Sequence, residues 1–213
     1  MQLSLVNHLD KRWLSLLEIM AMIAVVGLAI TAMFSTVIGG IYFAKDSENR
    51  IKAINLAREG IEWVTNLRNT NWLRFSSDQT NCWRVENYQS SCIWNTIFAL
   101  SNSIWTNPTA KAYILLNTNG AWYLSGSTAT TGSWLWVDSS WFYVSTGAVS
   151  PGEAICTIDT ATNCRSPFTR EIRILLVGAT NDTMTVTSVV DWTEKRAQNV
   201  TLTTTLTNWK SKF

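Results

Sequence analysis

The charged residues divide the chain into one long apolar segment and a more polar remainder. Residues 19–44 carry no formal charge, and the segment begins Ile-Met-Ala-Met-Ile-Ala-Val-Val-Gly-Leu-Ala-Ile. Because roughly 20 apolar residues cross the hydrocarbon core of a bilayer, this pattern predicts a transmembrane helix. A buried core helix of a soluble protein and a cleaved secretory signal are the alternatives. A core helix does not need such a length without charge, and no A-x-A cleavage site follows the segment.

The apolar segment is flanked by patterns that predict its orientation and its continuation. Lys11 and Arg12 directly precede it, which favours an N-terminus in the cytoplasm and export of the rest. Beyond Lys45, apolar residues recur every three or four positions among charged ones, as in an amphipathic helix: Ile51, Ile54, Ala57, Ile61, Val64 and Leu67. Since no turn signal intervenes, we expect one helix with an apolar half over 14–44 and an amphipathic half over 45–70.

The helical period ends near residue 70, where Ser, Thr, Asn and Trp become frequent. Runs of apolar, β-branched and aromatic residues then predict seven strands, over 112–116, 121–124, 134–137, 141–144, 171–177, 184–192 and 200–206. In the last run Val and Leu alternate with Thr, as expected of a sheet with one buried and one wet face. The predicted fold class is α+β, with the long N-terminal helix packed on an antiparallel β-sheet domain over 71–213.

Composition excludes several function classes. Charged residues make up 15% of the chain and the net charge is +2, so no strong field indicates a nucleic-acid or acidic partner. The single histidine is His8, ahead of the apolar segment, which leaves the exported domain without a Ser/His/Asp triad or a His-rich zinc site. Neither a P-loop nor a GxGxxG motif occurs. We therefore expect a protein that is not an enzyme and that binds no cofactor or metal.

Four cysteines form two local groups in the exported part: Cys82 with Cys92, and Cys156 with Cys164. Export favours disulfides. Local pairing would close two loops of about ten residues and contribute about 2 to 3 kcal/mol each in the chain-entropy model. It is one of three connectivities that the sequence allows. A four-cysteine metal site is the alternative, although such sites usually contain closer C-x-x-C pairs.

The sequence Lys-Arg-Trp-Leu-Ser-Leu-Leu-Glu at residues 11–18, followed by the apolar segment, resembles the class III signal of type IV pilins and type II secretion pseudopilins. In that family a prepilin peptidase removes a short basic leader, the new N-terminal residue is methylated, and a glutamate stands fifth. The resemblance implies a leader over 1–13, a cut between Trp13 and Leu14, methylation of Leu14, and Glu18 as the fifth residue. Gly27 matches a helix-loosening glycine of the family.

The resemblance is specific over residues 11–45, continues through the amphipathic helix and is weak in the C-terminal domain. It implies a single-pass protein of the inner membrane, N-terminus inside, which the pilus assembly machinery polymerises into a homo-oligomeric extracellular filament. The chemistry of Glu18 agrees with this. A carboxylate in an apolar span costs roughly 2.5 to 3.5 kcal/mol and needs a partner. In the family that partner is the N-terminal amine of a neighbouring subunit.

Two residues depart from the family pattern. Leu14 replaces the usual phenylalanine, and Trp13 replaces the glycine before the cut, so an indole there predicts poor processing. One hypothesis is that Trp13 is a glycine encoded by UGA, because the chain has 12 Trp and 10 Gly while glycine is ordinarily about 7% of residues. Trp63 is the next candidate, whereas Trp72, Trp192 and Trp209 look genuine. A domain that is simply rich in tryptophan is the alternative.

Other functions stay open from the sequence. A type II secretion pseudopilin shares the N-terminal signal, but the calcium site common in that class would need an acidic cluster after Glu194, which is absent from the sequence. An uncleaved, signal-anchored surface binding module is an alternative of another class, with the Trp-rich sheet as its ligand face. Adhesion, motility, DNA uptake and secretion share the pilin design, and no feature here supports DNA as a partner.

Overall fold

The protein separates into an N-terminal unit, Met1–Asn49, and a C-terminal unit, Arg50–Phe213. The structure is a computed structural model, and it describes residues 3–88, 90–93, 111–118, 121–126, 134–140, 142–145, 156, 164–177, 182–194 and 196–209. Helix α1, Leu3–Arg74, contributes to both units. The C-terminal unit adds an antiparallel sheet. The predicted α+β class, with a long apolar N-terminal helix, is therefore confirmed.

The sheet has seven strands within the described part of the chain. They are β1 Lys111–Thr118, β2 Ala121–Gly126, β3 Trp134–Val137, β4 Tyr143–Val144, β5 Cys164–Val177, β6 Thr183–Thr193 and β7 Ala197–Thr207. Each overlaps a predicted strand, although position 141, the predicted start of β4, lies outside the described residues. Between helix and sheet lie a short helix α2, Gln79–Cys82, and two 3-10 turns, Glu86–Tyr88 and Ser90–Cys92.

Strand β5 is the centre of the sheet. Its first half pairs with β3 and its second half with β1 along one edge, while β6 and then β7 follow on the other edge. It begins at Cys164 rather than at the predicted residue 171, because Pro167 does not interrupt the strand. Proline has no N–H to donate, and Pro167 lies at the register shift with β3 and just before the β6 pairing begins at Phe168.

The C-terminal half of α1 packs on the sheet through a stripe of small and medium side chains. The buried positions recur every three or four residues, at Ala53, Ala57, Gly60, Val64 and Leu67. They join inward side chains of the strands in two apolar clusters. Ala57, Val64 and Leu67 of the predicted stripe are buried and Ile61 packs against the core, whereas Ile51, at the start of the C-terminal unit, is 60% exposed.

The buried Arg170 of β5 connects sheet and helix. Its side chain is 2% exposed, and Nη1 donates to Glu59 Oε2 at 2.7 Å and to the Leu56 carbonyl at 3.2 Å. Burial lowers the pKa of the Arg170 guanidinium, and the charge of Glu59 opposes that shift. The pair fixes the helix to the central strand, because separating it would leave a buried cation without its carboxylate.

The C-terminal end of α1 is held by hydrogen bonds from consecutive residues. Asn71 Nδ2 donates to the carbonyls of Trp83 and Val85, at 3.2 and 3.0 Å. Trp72 Nε1 donates to Asn208 Oδ1 at 2.9 Å, and its ring meets that of Trp209 edge-on at 5.3 Å. The end of the helix is thus tied both to the segment that follows it and to the end of β7.

Candidate functional site

The N-terminal unit presents a continuous apolar surface. From Leu16 to Phe43 the large apolar side chains are 47% to 75% exposed. Helix α1 is the one helix in the described residues that is long and apolar enough to cross a membrane, by length and composition. Exposed apolar surface of this extent is rare on soluble monomers and marks a surface that lipid or protein covers.

Glu18 is the one charged residue between positions 16 and 44 of this surface. Its side chain is exposed, and no described side chain gives it a hydrogen bond or an ion pair. In contrast, Thr31 and Thr36 donate their hydroxyls to carbonyls of the preceding turn at 2.9 and 2.8 Å, which satisfies them within the helix. Among the polar side chains of this surface, Glu18 is therefore the one that most needs a partner from outside the subunit.

The other residues of the predicted N-terminal site lie on the same helix. The backbone of α1 runs through Trp13 and Leu14, whose side chains lie outside the described residues, as do Met1 and Gln2 of the predicted leader. At Gly27 a Cβ atom would meet no atom within 4 Å apart from its chain neighbours and the adjacent backbone of its own helix. Gly27 therefore marks no close approach inside the subunit, and any packing that needs its missing side chain involves another molecule.

Two disulfides stabilise the segments around the sheet. Cys82 bonds Cys92 and Cys156 bonds Cys164, which are the two local pairs. The first closes the segment containing Asn87, whose side-chain amide exchanges two hydrogen bonds with the backbone of Leu124 in β2, at 3.1 and 3.2 Å. The disulfide-closed segment is thereby attached to the edge of the sheet.

Sequence reasoning did not single out Gly60, Arg170 and Ser188, which determine how the helix packs. The signal for Arg170 was present, because it falls in phase with the inward residues Phe168 and Ile172 and is therefore a charge at a core position. Nothing in the sequence marked Gly60 or Ser188 as partners. The described residues contain no group of three or more His, Cys, Asp or Glu side chains that could hold a metal ion.

Comparison with known proteins gives no family assignment. No protein-family model, no curated protein and no solved structure matches this chain.

Proposed function

We propose that this protein is the structural subunit of a type IV pilus-like filament. The subunit is inserted in the cytoplasmic membrane with its N-terminus inside, cut between Trp13 and Leu14, methylated on Leu14, and polymerised through its apolar helix. The observation that carries the proposal is the exposed apolar surface from Leu16 to Phe43 with Glu18 as its one charge. Prepilin peptidase and the assembly machinery are separate proteins that act on it.

The energetics of assembly follow from this surface. Lipid covers the apolar side chains of the single subunit, and helices of neighbouring subunits cover them in the filament. Lipid and neighbouring helices are equally apolar, so close packing and polar contacts must favour the filament. Gly27 permits a neighbouring helix to approach closely, and Glu18 gains an ion pair with the Leu14 amine of the next subunit. A subunit that adds out of register leaves this carboxylate unpaired in an apolar environment.

The C-terminal unit supplies the outside of the proposed filament. It has its own apolar clusters and two disulfides, which suit a domain exposed to an oxidising environment. Because each disulfide joins cysteines close in sequence, the unit can be oxidised after export without long-range rearrangement. The unit therefore needs no neighbouring subunit for its core.

The test is Glu18→Ala in the native host, with Glu194→Ala as a matched control at an exposed position of the β6–β7 turn. Losing the carboxylate removes an insertion cost of roughly 2.5 to 3.5 kcal/mol, so the variant should be at least as abundant in the membrane fraction. It should be absent from sheared surface filaments, as measured by immunoblotting and electron microscopy. Normal filaments with Glu18→Ala would refute the proposed role, and the control should assemble normally.

Mass spectrometry of the N-terminal peptide separates the filament subunit from the alternatives. A mature chain that starts at methylated Leu14 is the expected result, and precursor peptides with glycine at position 13 would establish the UGA hypothesis as well. A mature chain that keeps residues 1–13 would favour the uncleaved surface module. Abundance distinguishes a major pilin from a minor pilin or a pseudopilin.

A further inference from the structure

A cleft of about 210 Å³ opens where strands β3, β5 and β6 meet. Arg165, Pro167 and Thr169 line it from β5, and they alternate with the buried Phe168 and Arg170. Side chains of a strand point alternately to its two faces, and Arg170 contacts α1, so the cleft lies on the face turned away from the helix. Helix α1 therefore does not cover this face.

One wall of the cleft is aromatic. Trp134 of β3 lies opposite Thr169 of β5, and the Arg165 guanidinium carbon lies 4.2 Å from the centroid of the indole ring. The guanidinium is held by this cation–π contact, and no ion pair joins it to a described carboxylate. Its N–H groups therefore keep hydrogen-bonding capacity toward a ligand beside the indole.

The other wall carries an acceptor without a donor. Asp191 of β6 also lies opposite Thr169, and no described group donates a hydrogen bond to its carboxylate. Desolvation raises the pKa of Asp191, while the charge of Arg173 opposes this shift and that of Glu171 adds to it. Because no described protein group donates to them, the carboxylate oxygens of Asp191 can accept hydrogen bonds from the hydroxyl groups of a ligand. Thr193 adds a further hydroxyl at the same wall.

These groups together match a sugar. A pyranose ring has an apolar face of C–H bonds that stacks on an indole, and its hydroxyls both donate to a carboxylate and accept from a guanidinium. A polyanion such as single-stranded DNA fits less well, because it needs an excess of cations. Around the cleft Arg165 is balanced by Asp191, and Arg173 forms an ion pair with Glu171. The volume of the cleft is below the usual range for drug-sized ligands, so the cleft suits a single sugar ring of a longer chain.

We propose that the cleft formed by Trp134, Arg165, Asp191 and Thr193 binds one pyranose residue of a neutral glycan. The proposal goes beyond filament formation and does not depend on it, because all of its residues lie in the C-terminal unit. In a filament it would give every subunit one weak glycan site. Many such sites along one polymer would produce strong multivalent attachment from weak single contacts.

The experiment is ligand-observed saturation-transfer NMR on the full chain in lauryldimethylamine oxide, a detergent without a sugar headgroup. The probes are cellotetraose, chitotetraose and maltotetraose, with oligothymidine of about twelve nucleotides as the polyanion. Trp134→Ala and Asp191→Ala each remove one wall of the cleft. Phe142→Ala is the control, because Phe142 is an aromatic residue, 67% exposed, that does not line the cleft. Thermal unfolding identifies any variant that has lost its fold.

We expect at least one tetrasaccharide to bind, with its affinity reduced by about tenfold or more in both cleft variants and unchanged in Phe142→Ala. Asp191 is exposed, so Asp191→Ala decides the question if Trp134→Ala fails to fold. The proposal is overturned if no tetrasaccharide binds, or if Asp191→Ala binds as well as the unmodified chain. Binding of oligothymidine that is lost in the same variants would assign the cleft to nucleic acid instead.

Discussion

Replacing Gly60 with alanine should destabilise the C-terminal unit, although the same change stabilises most helix interiors by about 0.8 to 1.0 kcal/mol. An ideal Cβ at Gly60 would lie 2.8 Å from Ser188 Oγ and 3.4 Å from Ile172 Cδ1. Both partners are buried in the sheet. Overpacking of this kind costs about 1 to 3 kcal/mol, which exceeds the gain in helix propensity. The net expectation is a loss of about 1 kcal/mol.

The sign of the effect should reverse when Ser188 is also changed. Ser188 Oγ is buried and has no hydrogen-bond partner among the described residues, so Ser188→Ala removes the obstacle without breaking a bond. The nearest atom to the new Cβ is then Ile172 Cδ1, at ordinary contact distance. In the Ser188→Ala background, Gly60→Ala should therefore stabilise by the helix-propensity gain alone. The two changes are coupled by about 2 kcal/mol, within the range for residues in contact.

Thermal unfolding of the full chain in detergent, followed by circular dichroism and tryptophan fluorescence, measures this cycle. For a chain of this size, about 1 kcal/mol corresponds to a shift in Tm of roughly 2 to 4 °C. Asn55→Ala is the control, because Asn55 is exposed on the same helix and reports the propensity gain without a clash. If Gly60→Ala raises the Tm as Asn55→Ala does, the close approach of helix and sheet at Ser188 is wrong.

Two further predictions concern charged groups of the same unit. Glu59→Ala should lower stability by about 2 to 3 kcal/mol, because it leaves the buried Arg170 cation without its carboxylate. Arg170→Met should cost less, because the Glu59 carboxylate that remains is 41% exposed and is solvated by water. The opposite order of Tm values would contradict this. Asp191→Asn should raise stability at pH 7 but not below the ordinary carboxyl pKa of 3.8. Burial raises the native pKa of Asp191, so the native state binds the proton more tightly and stability falls as pH rises between the two pKa values. Equal Tm differences between variant and parent at pH 3 and pH 7 would show that Asp191 is not desolvated.

The sequence predicted the elements of this fold better than the contacts between them. The charge-free run of residues 19–44 and the alternation of Val and Leu with Thr in β7 are local patterns, and local patterns determine helix and strand. Which helix residues come close to the sheet is not determined by local pattern alone. Ile51 has the period of a core residue but is exposed, whereas Gly60, which no local pattern marks, lies directly against Ser188 of the sheet.

The described tryptophans differ in how well a glycine could replace them. Trp72 and Trp192 are each 3% exposed, and Trp72 also donates a hydrogen bond, so a glycine at either position would leave a large cavity. Trp63 is partly buried against the apolar cluster that contains Trp72. Positive φ angles occur, among described residues other than glycine, at Asn87 and Tyr88, so no described tryptophan has a backbone that requires glycine. Trp13 is a candidate glycine because of the N-terminal motif alone.

The separation of the chain into two units makes assembly and folding experimentally distinguishable. The buried apolar clusters of the C-terminal unit draw on residues from Ala53 onward, so its stability depends on contacts such as that of Gly60 with Ser188. Glu18 makes no hydrogen bond or ion pair with any described residue. Glu18→Ala should therefore leave the Tm of the C-terminal unit unchanged while filaments are lost, whereas Gly60→Ala should lower the Tm while membrane insertion persists. A filament defect that accompanies an unchanged Tm then does not come from unfolding of the C-terminal unit, as the proposed role of Glu18 in contacts between subunits requires.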